Sequence, residues 1–282
     1  MWQVRIGYTV WTWASGTFFT GTKQDFERGL KAISDLGYQT VEDFNRLVGT
    51  FEDSPEEFDG LLEQYGLEFV NLYHYLRDDF DADFVMAERC CKFLKCHGGK
   101  LLNMQAPRRP GGSPDGPWWR GTHAPTEKDL DGCIEKLTKI AELSKGYGIT
   151  TCLHPHWGTM VEQEHEVEYV AERTDPATLK LTLDTAHAVV GGMDPVKIFA
   201  QYVDRTAYVH LKDVVVPGPD PENPMMGFRE LGRGIVDLRG VVQVLREGGY
   251  DGVLCVECDY PRVCNYDSAM ISRQYIRDEL GM

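Results

Sequence analysis

No stretch of this chain approaches the ~20 apolar residues that a membrane span requires, so no membrane partner is expected. Basic charge is also scarce: 29 Lys and Arg stand against 44 Asp and Glu, a formal net charge of −15. Affinity for a phosphate backbone rests on basic residues, which argues against a nucleic-acid partner. The opening residues, Met1-Trp-Gln-Val-Arg-Ile-Gly7, run directly into a strand pattern, so no cleavable signal is expected. Neither a linker nor a shift in composition divides the chain, and residues 1–282 read as one domain. Apolar residues, at 42%, are sufficient for a sizeable core. Eight cysteines would suit a disulfide scaffold only in a small secreted domain. Here Cys90, Cys91 and Cys96 share one predicted helix, and Cys152 and Cys255 fall within predicted strands. Buried thiols in a reducing, cytoplasmic setting are the expectation. Cys255-Val-Glu-Cys258 is a lone CxxC whose sulfurs alternate to opposite faces of a strand, which leaves Glu257 as its informative residue.

A unit of about 35 residues, apolar run then helix, recurs eight times along the chain. That alternation predicts an α/β fold, a single (β/α)8 TIM barrel. Thr22 with Asp25, and Ser54-Pro55-Glu56-Glu57, mark the starts of two helices. Four of the runs end on a polar residue: Ile149-Thr-Thr-Cys-Leu-His154, Leu179-Lys-Leu-Thr-Leu-Asp184, Ala207-Tyr-Val-His210 and Val253-Leu-Cys-Val-Glu257. Strand termini in such a barrel converge on one rim, where its chemistry is kept.

Alternation along the strands gives an internal check. Asp184 shares a face with Thr182, His210 with Tyr208, Glu257 with Cys255, and Glu42 with Thr40, while leucine and valine fill the other faces. The apolar faces suit burial under the helices, which turns the polar faces inward. An inward carboxylate or imidazole is costly unless it is paired or bound to a cation. Two imidazoles and two carboxylates therefore read as a divalent-metal site made of His154, Asp184, His210 and Glu257. His156 has the same parity as His154, so either could be the ligand.

At these residues the sequence resembles the sugar phosphate isomerase/epimerase superfamily, the xylose isomerase-like TIM barrels. The matching segments include His154-Pro-His-Trp-Gly-Thr-Met-Val-Glu162, Leu183-Asp-Thr-Ala-His187, Val209-His-Leu-Lys-Asp213 and Gly232-Arg-Gly-Ile-Val-Asp237. Within the superfamily they look most like inosose dehydratases, enzymes of inositol catabolism that remove water from a keto-inositol with a divalent metal. Ketose 3-epimerases of the superfamily have a glutamate where His154 stands. That departure suits a one-sided elimination better than an epimerisation. The related DNA-repair endonucleases have an Asp-Arg-His segment that this chain lacks.

The resemblance implies a keto-sugar or keto-cyclitol substrate and a divalent ion, Mn²⁺ foremost, with Co²⁺, Fe²⁺ or Zn²⁺ also suited to a mixed nitrogen and oxygen donor set. In the elimination, His156 or Glu257 would take the α-proton, and His187 or Glu162 would protonate the leaving oxygen. Glu42, His74 and Lys212 are candidate contacts for substrate hydroxyls. Trp11 and Trp13 offer a stacking wall for a sugar ring or, equally, core packing. Trp118, Trp119 and Arg120, in the long segment after the fourth strand, would cover a bound sugar or plug a contact with the barrel or a second subunit; a homo-oligomer is compatible with either. Three other readings stay open: a ketose isomerase or epimerase, a deglycosidase acting on 3-keto-glycosides by β-elimination, and a non-catalytic sugar-binding or scaffolding barrel.

Overall fold

The computed structural model describes residues 2–15, 21–111, 123–216, 218–220 and 223–282. Trp118, Trp119 and Arg120 lie outside them. Eight parallel strands close into a barrel: β1 (Arg5–Thr9), β2 (Thr40–Phe44), β3 (Glu68–Tyr75), β4 (Leu101–Gln105), β5 (Thr150–His154), β6 (Leu179–Asp184), β7 (Thr206–Leu211) and, after a short antiparallel pair, β10 (Val253–Val256). β1 pairs with both β2 and β10, so the sheet has no open edge. The antiparallel pair, β8 (Asp213–Val214) and β9 (Phe228–Arg229), lies in the long connection after β7.

The major helices are α1 (Lys23–Asp35), α3 (Pro55–Tyr65), α4 (Phe80–Cys96), α5 (Glu127–Tyr147), α6 (Glu164–Arg173), α8 (Pro195–Tyr202), α9 (Leu238–Glu247) and α10 (Asn265–Glu279). Two shorter ones, α2 (Arg46–Phe51) and α7 (Thr185–Val190), follow β2 and β6 directly. Their six residues each are too few for helical periodicity to stand out in the sequence. Thr22 and Asp25 form the reciprocal capping box expected of α1. Ser54 stands at the α3 N-cap position without capping it; its hydroxyl instead accepts from Lys23 Nζ at 2.7 Å.

Strand parity follows the alternation. Leu181, Leu183, Val209, Leu211, Leu254 and Val256 belong to the main core. Tyr208, Val253 and Cys255 form a second, small cluster with Val70. β3 departs from simple alternation. Val41 of β2 lies opposite Phe69 and Glu42 opposite Asn71, so Val70 is an extra residue on β3. Such a bulge shifts the phase of everything beyond it. Asn71 and Tyr73 consequently reach the polar side chains of the barrel mouth, while His74 does not. All eight cysteines are free, Cys255 and Cys258 among them. Among the described residues, no helix is long and apolar enough to cross a membrane.

Candidate metal centre at the barrel mouth

His154 closes β5, Asp184 closes β6, His210 is the penultimate residue of β7, and Glu257 directly follows β10. All four are buried. His154 Nε2 and His210 Nδ1 are 3.2 Å apart, and each is 3.7 Å from Asp184 Oδ2. Glu257 Oε2 is 3.1 Å from His210 Nδ1. Atoms that share one ion at ~2.0–2.2 Å lie no more than ~4.4 Å apart, and these spacings meet that condition. Among the described residues, His154, Asp184 and His210 are the group of metal-binding side chains gathered this tightly.

The surroundings point each donor atom into the cluster. His210 Nε2 lies 2.8 Å from Glu42 Oε1, and a carboxylate there takes the Nε2–H, so Nδ1, which faces Asp184, is the nitrogen whose proton an entering ion would displace. Glu42 is steadied in turn by Asn71 Nδ2 at 2.7 Å. His154 Nδ1 meets the Tyr73 hydroxyl at 3.0 Å, and that hydroxyl donates to Gln105 Oε1. The Tyr73 oxygen thus accepts the Nδ1–H of His154, and its Nε2 lone pair faces the cluster. Asp184 divides its two oxygens between tasks. Oδ1 caps α7 by accepting from the backbone of Ala186 and His187 at 2.8 and 2.7 Å. Oδ2, like Glu257 Oε2, is buried and receives no well-directed hydrogen bond.

Charge favours a cation here. Glu42, Asp184, Glu257 and Asp259 supply four carboxyl groups, against one lysine, Lys212, and the imidazoles. Lys212 Nζ sits 2.9 Å from both Glu257 Oε2 and Asp259 Oδ2, and 3.6 Å from Asp184 Oδ2. Burial pushes the Glu257 carboxyl up, with Asp259 adding to the effect. Burial lowers His154 to about 4, so its ring is neutral and ligand-ready. Burial also pulls on His210, but Glu42, Glu257 and Asp184 outweigh it and hold that ring at about 9. Negative charge crowded into a buried site, with two imidazole nitrogens aimed at it, is the donor chemistry of a divalent metal.

His156 lies beside this group rather than in it. Its ring packs 3.8 Å, centroid to centroid, from that of His187. Burial holds both well below the ordinary histidine range, so both are neutral. Their tautomers differ. His156 Nδ1 is 2.7 Å from the Trp157 carbonyl oxygen and must carry the proton, which leaves Nε2 as the basic nitrogen. His187 Nδ1 accepts the Trp157 backbone N–H at 3.3 Å, so its proton is on Nε2. That N–H is buried without a hydrogen-bond partner. The Nε2 atoms of the two rings thus differ: that of His156 is the unprotonated nitrogen, that of His187 the protonated one.

The remaining candidates separate. Glu162 is held by Arg109 Nε at 2.9 Å and the Gly158 N–H at 2.6 Å. Glu42 stands behind His210 as described. Both nitrogens of His74 are engaged, by Asn45 Nδ2 and the Asp83 carbonyl, which leaves neither for a substrate hydroxyl. Trp13 is part of the main core and packs on Tyr8. Trp11 packs on Phe44, which packs on Tyr73, so an aromatic line leads from Trp11 to His154. Three contributors escape a reading of strand ends: Tyr73, displaced into the site by the β3 bulge; Asp259, whose parity with Glu257 was the available signal; and Phe228. The last, on β9, packs 5.1 Å from the His187 ring and lies under Lys212 Nζ at 4.6 Å.

Residues 30–280 match the model of the xylose isomerase-like TIM barrel. The chain belongs to that family. Inosose dehydratase of Geobacillus kaustophilus (strain HTA426) is 28% identical over 96% of this chain and 93% of its own length. The enzyme of the same name from Geobacillus thermodenitrificans (strain NG80-2) is 30% identical, over 56% of this chain; the match spans 57% of that protein. Among solved structures, the IolI protein with a bound zinc atom superposes with a TM-score of 0.77 at 15% identity, covering 98% of this chain and 97% of its own. As a xylose isomerase-like barrel, the chain keeps its polar cluster where the family fold opens to solvent, at the carboxyl ends of the strands.

Proposed function

We propose that the chain is a divalent-metal-dependent lyase that dehydrates a keto-sugar or keto-cyclitol, with residues 1–282 acting as one barrel domain. The observation that carries this reading is the one-sided acid–base set. Two neutral imidazoles of opposite tautomer stand beside His154, Asp184, His210 and Glu257, which would hold the ion. When bound, a divalent ion supplies Lewis acidity to a ketone and its adjacent hydroxyl. Manganese is the ion proposed, because nitrogen and oxygen donors are mixed; the zinc-containing IolI protein of the same fold is compatible with a divalent ion in general.

His156 Nε2 takes the proton from the carbon next to the ketone, and a carbon–carbon double bond forms as the bond to the β-oxygen breaks. His187 Nε2–H delivers its proton to that oxygen, which leaves as water. This leaves His156 with one proton too many and His187 with one too few, and transfer of that proton from the first ring to the second, through solvent, restores both to neutral. Glu257 is the alternative base, since burial brings its carboxyl toward the range in which a base works. Lys212 would contact substrate hydroxyls, and Trp11, at the end of the aromatic line, a ring face. Relatives named inosose dehydratase, from several bacteria, favour a keto-cyclitol substrate. Eight unpaired cysteines suit a cytoplasmic enzyme.

A panel of keto-inositols and keto-sugars incubated with the protein and Mn²⁺ in D₂O, followed by NMR, tests the proposal. Loss of water with an unsaturated or rearranged product is expected. Recovery of the substrate or its isomer carrying deuterium, without dehydration, would instead establish an isomerase or epimerase.

A further inference from the structure

Lys212 is the unusual occupant of the cluster. Its side chain is about 1% exposed, among the most buried of the large side chains. Its backbone is pinned on both sides by Thr185, whose hydroxyl accepts from the Lys212 N–H at 2.9 Å and donates to its carbonyl at 2.6 Å. Only the side chain is left to move. The ammonium occupies one position, between two sets of oxygens that could each seat it. Toward Asp259 it makes a directed hydrogen bond of 2.9 Å. Toward Glu257 Oε2 and Asp184 Oδ2 it makes ion contacts at 2.9 and 3.6 Å, with no well-directed hydrogen bond to either. Those two oxygens are the carboxylate atoms that would hold a metal.

We propose that Lys212 is a built-in stand-in cation: it neutralises Glu257 and Asp184 in the metal-free protein and withdraws onto Asp259 when a divalent ion enters. This rests on the metal reading given above. Two facts require some such arrangement. Buried carboxylates without a counter-charge are strongly destabilising, and without a metal the four carboxyl groups of the cluster have only His210 and Lys212 to balance them. An ammonium within ~4 Å of a divalent ion is strongly repelled, so the loaded site needs that same cation moved. Asp259, with 13% of its side chain exposed at the edge of the cluster, supplies the second seat.

Titration of the substrate-free protein with Mn²⁺, followed by calorimetry, tests this in four forms: wild type, Lys212→Met, Asp259→Asn and the double variant. Lys212→Met is expected to bind Mn²⁺ about tenfold tighter or more, since a competing charge is gone. Its metal-free form is expected to melt below wild type and its Mn²⁺-loaded form to recover that loss. Asp259→Asn, which removes the second seat, is expected to bind about tenfold weaker, and this loss is expected to vanish in the Lys212→Met background. Affinity unchanged or weakened in Lys212→Met would overturn the proposal, because a lysine that only contacts substrate does not alter metal binding in its absence. If Asp259→Asn weakens binding equally in both backgrounds, Asp259 acts by its own charge and the withdrawal is wrong. Should Lys212→Met not fold without metal, Asp259→Asn against wild type still decides: unchanged affinity overturns the second seat. A wild type that binds no Mn²⁺ removes the metal reading itself, an outcome distinct from all of these.

Discussion

Glu42 acts through His210, holding Nε2–H and so leaving Nδ1 as the nitrogen for the ion. Glu42→Gln keeps the shape and removes the charge. It is expected to weaken Mn²⁺ binding ~10–100-fold, measured by calorimetry, with the fold intact by circular dichroism. Unaltered affinity would show that His210 needs no such partner. His187 is the group with a proton to give. His187→Gln is expected to lower kcat ~10²–10⁴-fold while Mn²⁺ affinity stays at the wild-type value. A variant that turns over normally would reassign the acid. Much of this was legible in the sequence, for a simple reason. Period-two alternation sorts Asp184, His210 and Glu257 from their leucine and valine neighbours, and strand ends put them on one rim. Tyr73 was not legible. A β-bulge is a backbone event with no residue signature, and the single extra residue at Val70 exchanges His74 for Tyr73.

The elements that carry the site begin where capping chemistry puts them. α1 starts at Thr22, and Asp25, about 4% exposed, returns a hydrogen bond to the Thr22 N–H while Ser15 and Arg28 also bind it. The Thr22 backbone bond is the chief reason that the Asp25 carboxyl lies well below its ordinary range. A carboxyl depressed on folding contributes stability above its unfolded value, ~3.9, and loses it as pH falls from there through the folded value. Asp25→Asn should therefore cost about 1–2 kcal/mol at pH 7, by urea denaturation, and progressively less below pH ~4. A penalty that is constant with pH would mean that the charge contributes nothing. Loops were harder to read than helices. The β8–β9 pair, which brings Phe228 over Lys212, is two residues per strand, and α7 is a single short segment. Asp213 explains how that loop is held: its carboxylate accepts the backbone N–H groups of Val214, Gly232, Gly234 and Val236. A sequence shows the aspartate and the glycines but not that they meet.

Across the whole molecule, the barrel closes from β1 to β10 and draws together donors separated by more than a hundred positions of chain, His154 and Glu257 among them. An ion held by such donors ties distant strands together and binds only the folded state. At one hundred times its dissociation constant it would add ~2.7 kcal/mol of stability, raising Tm by ~5 °C. A chelator such as EDTA would reverse the gain, and scanning calorimetry with and without Mn²⁺ reads it. The most direct measurement is a crystal soaked in Mn²⁺ with data collected at the manganese absorption edge. One strong anomalous peak is expected, enclosed by His154 Nε2, Asp184 Oδ2, His210 Nδ1 and Glu257 Oε2, with Lys212 Nζ moved toward Asp259. A peak elsewhere, or none among those four atoms, would rule out the metal centre described above.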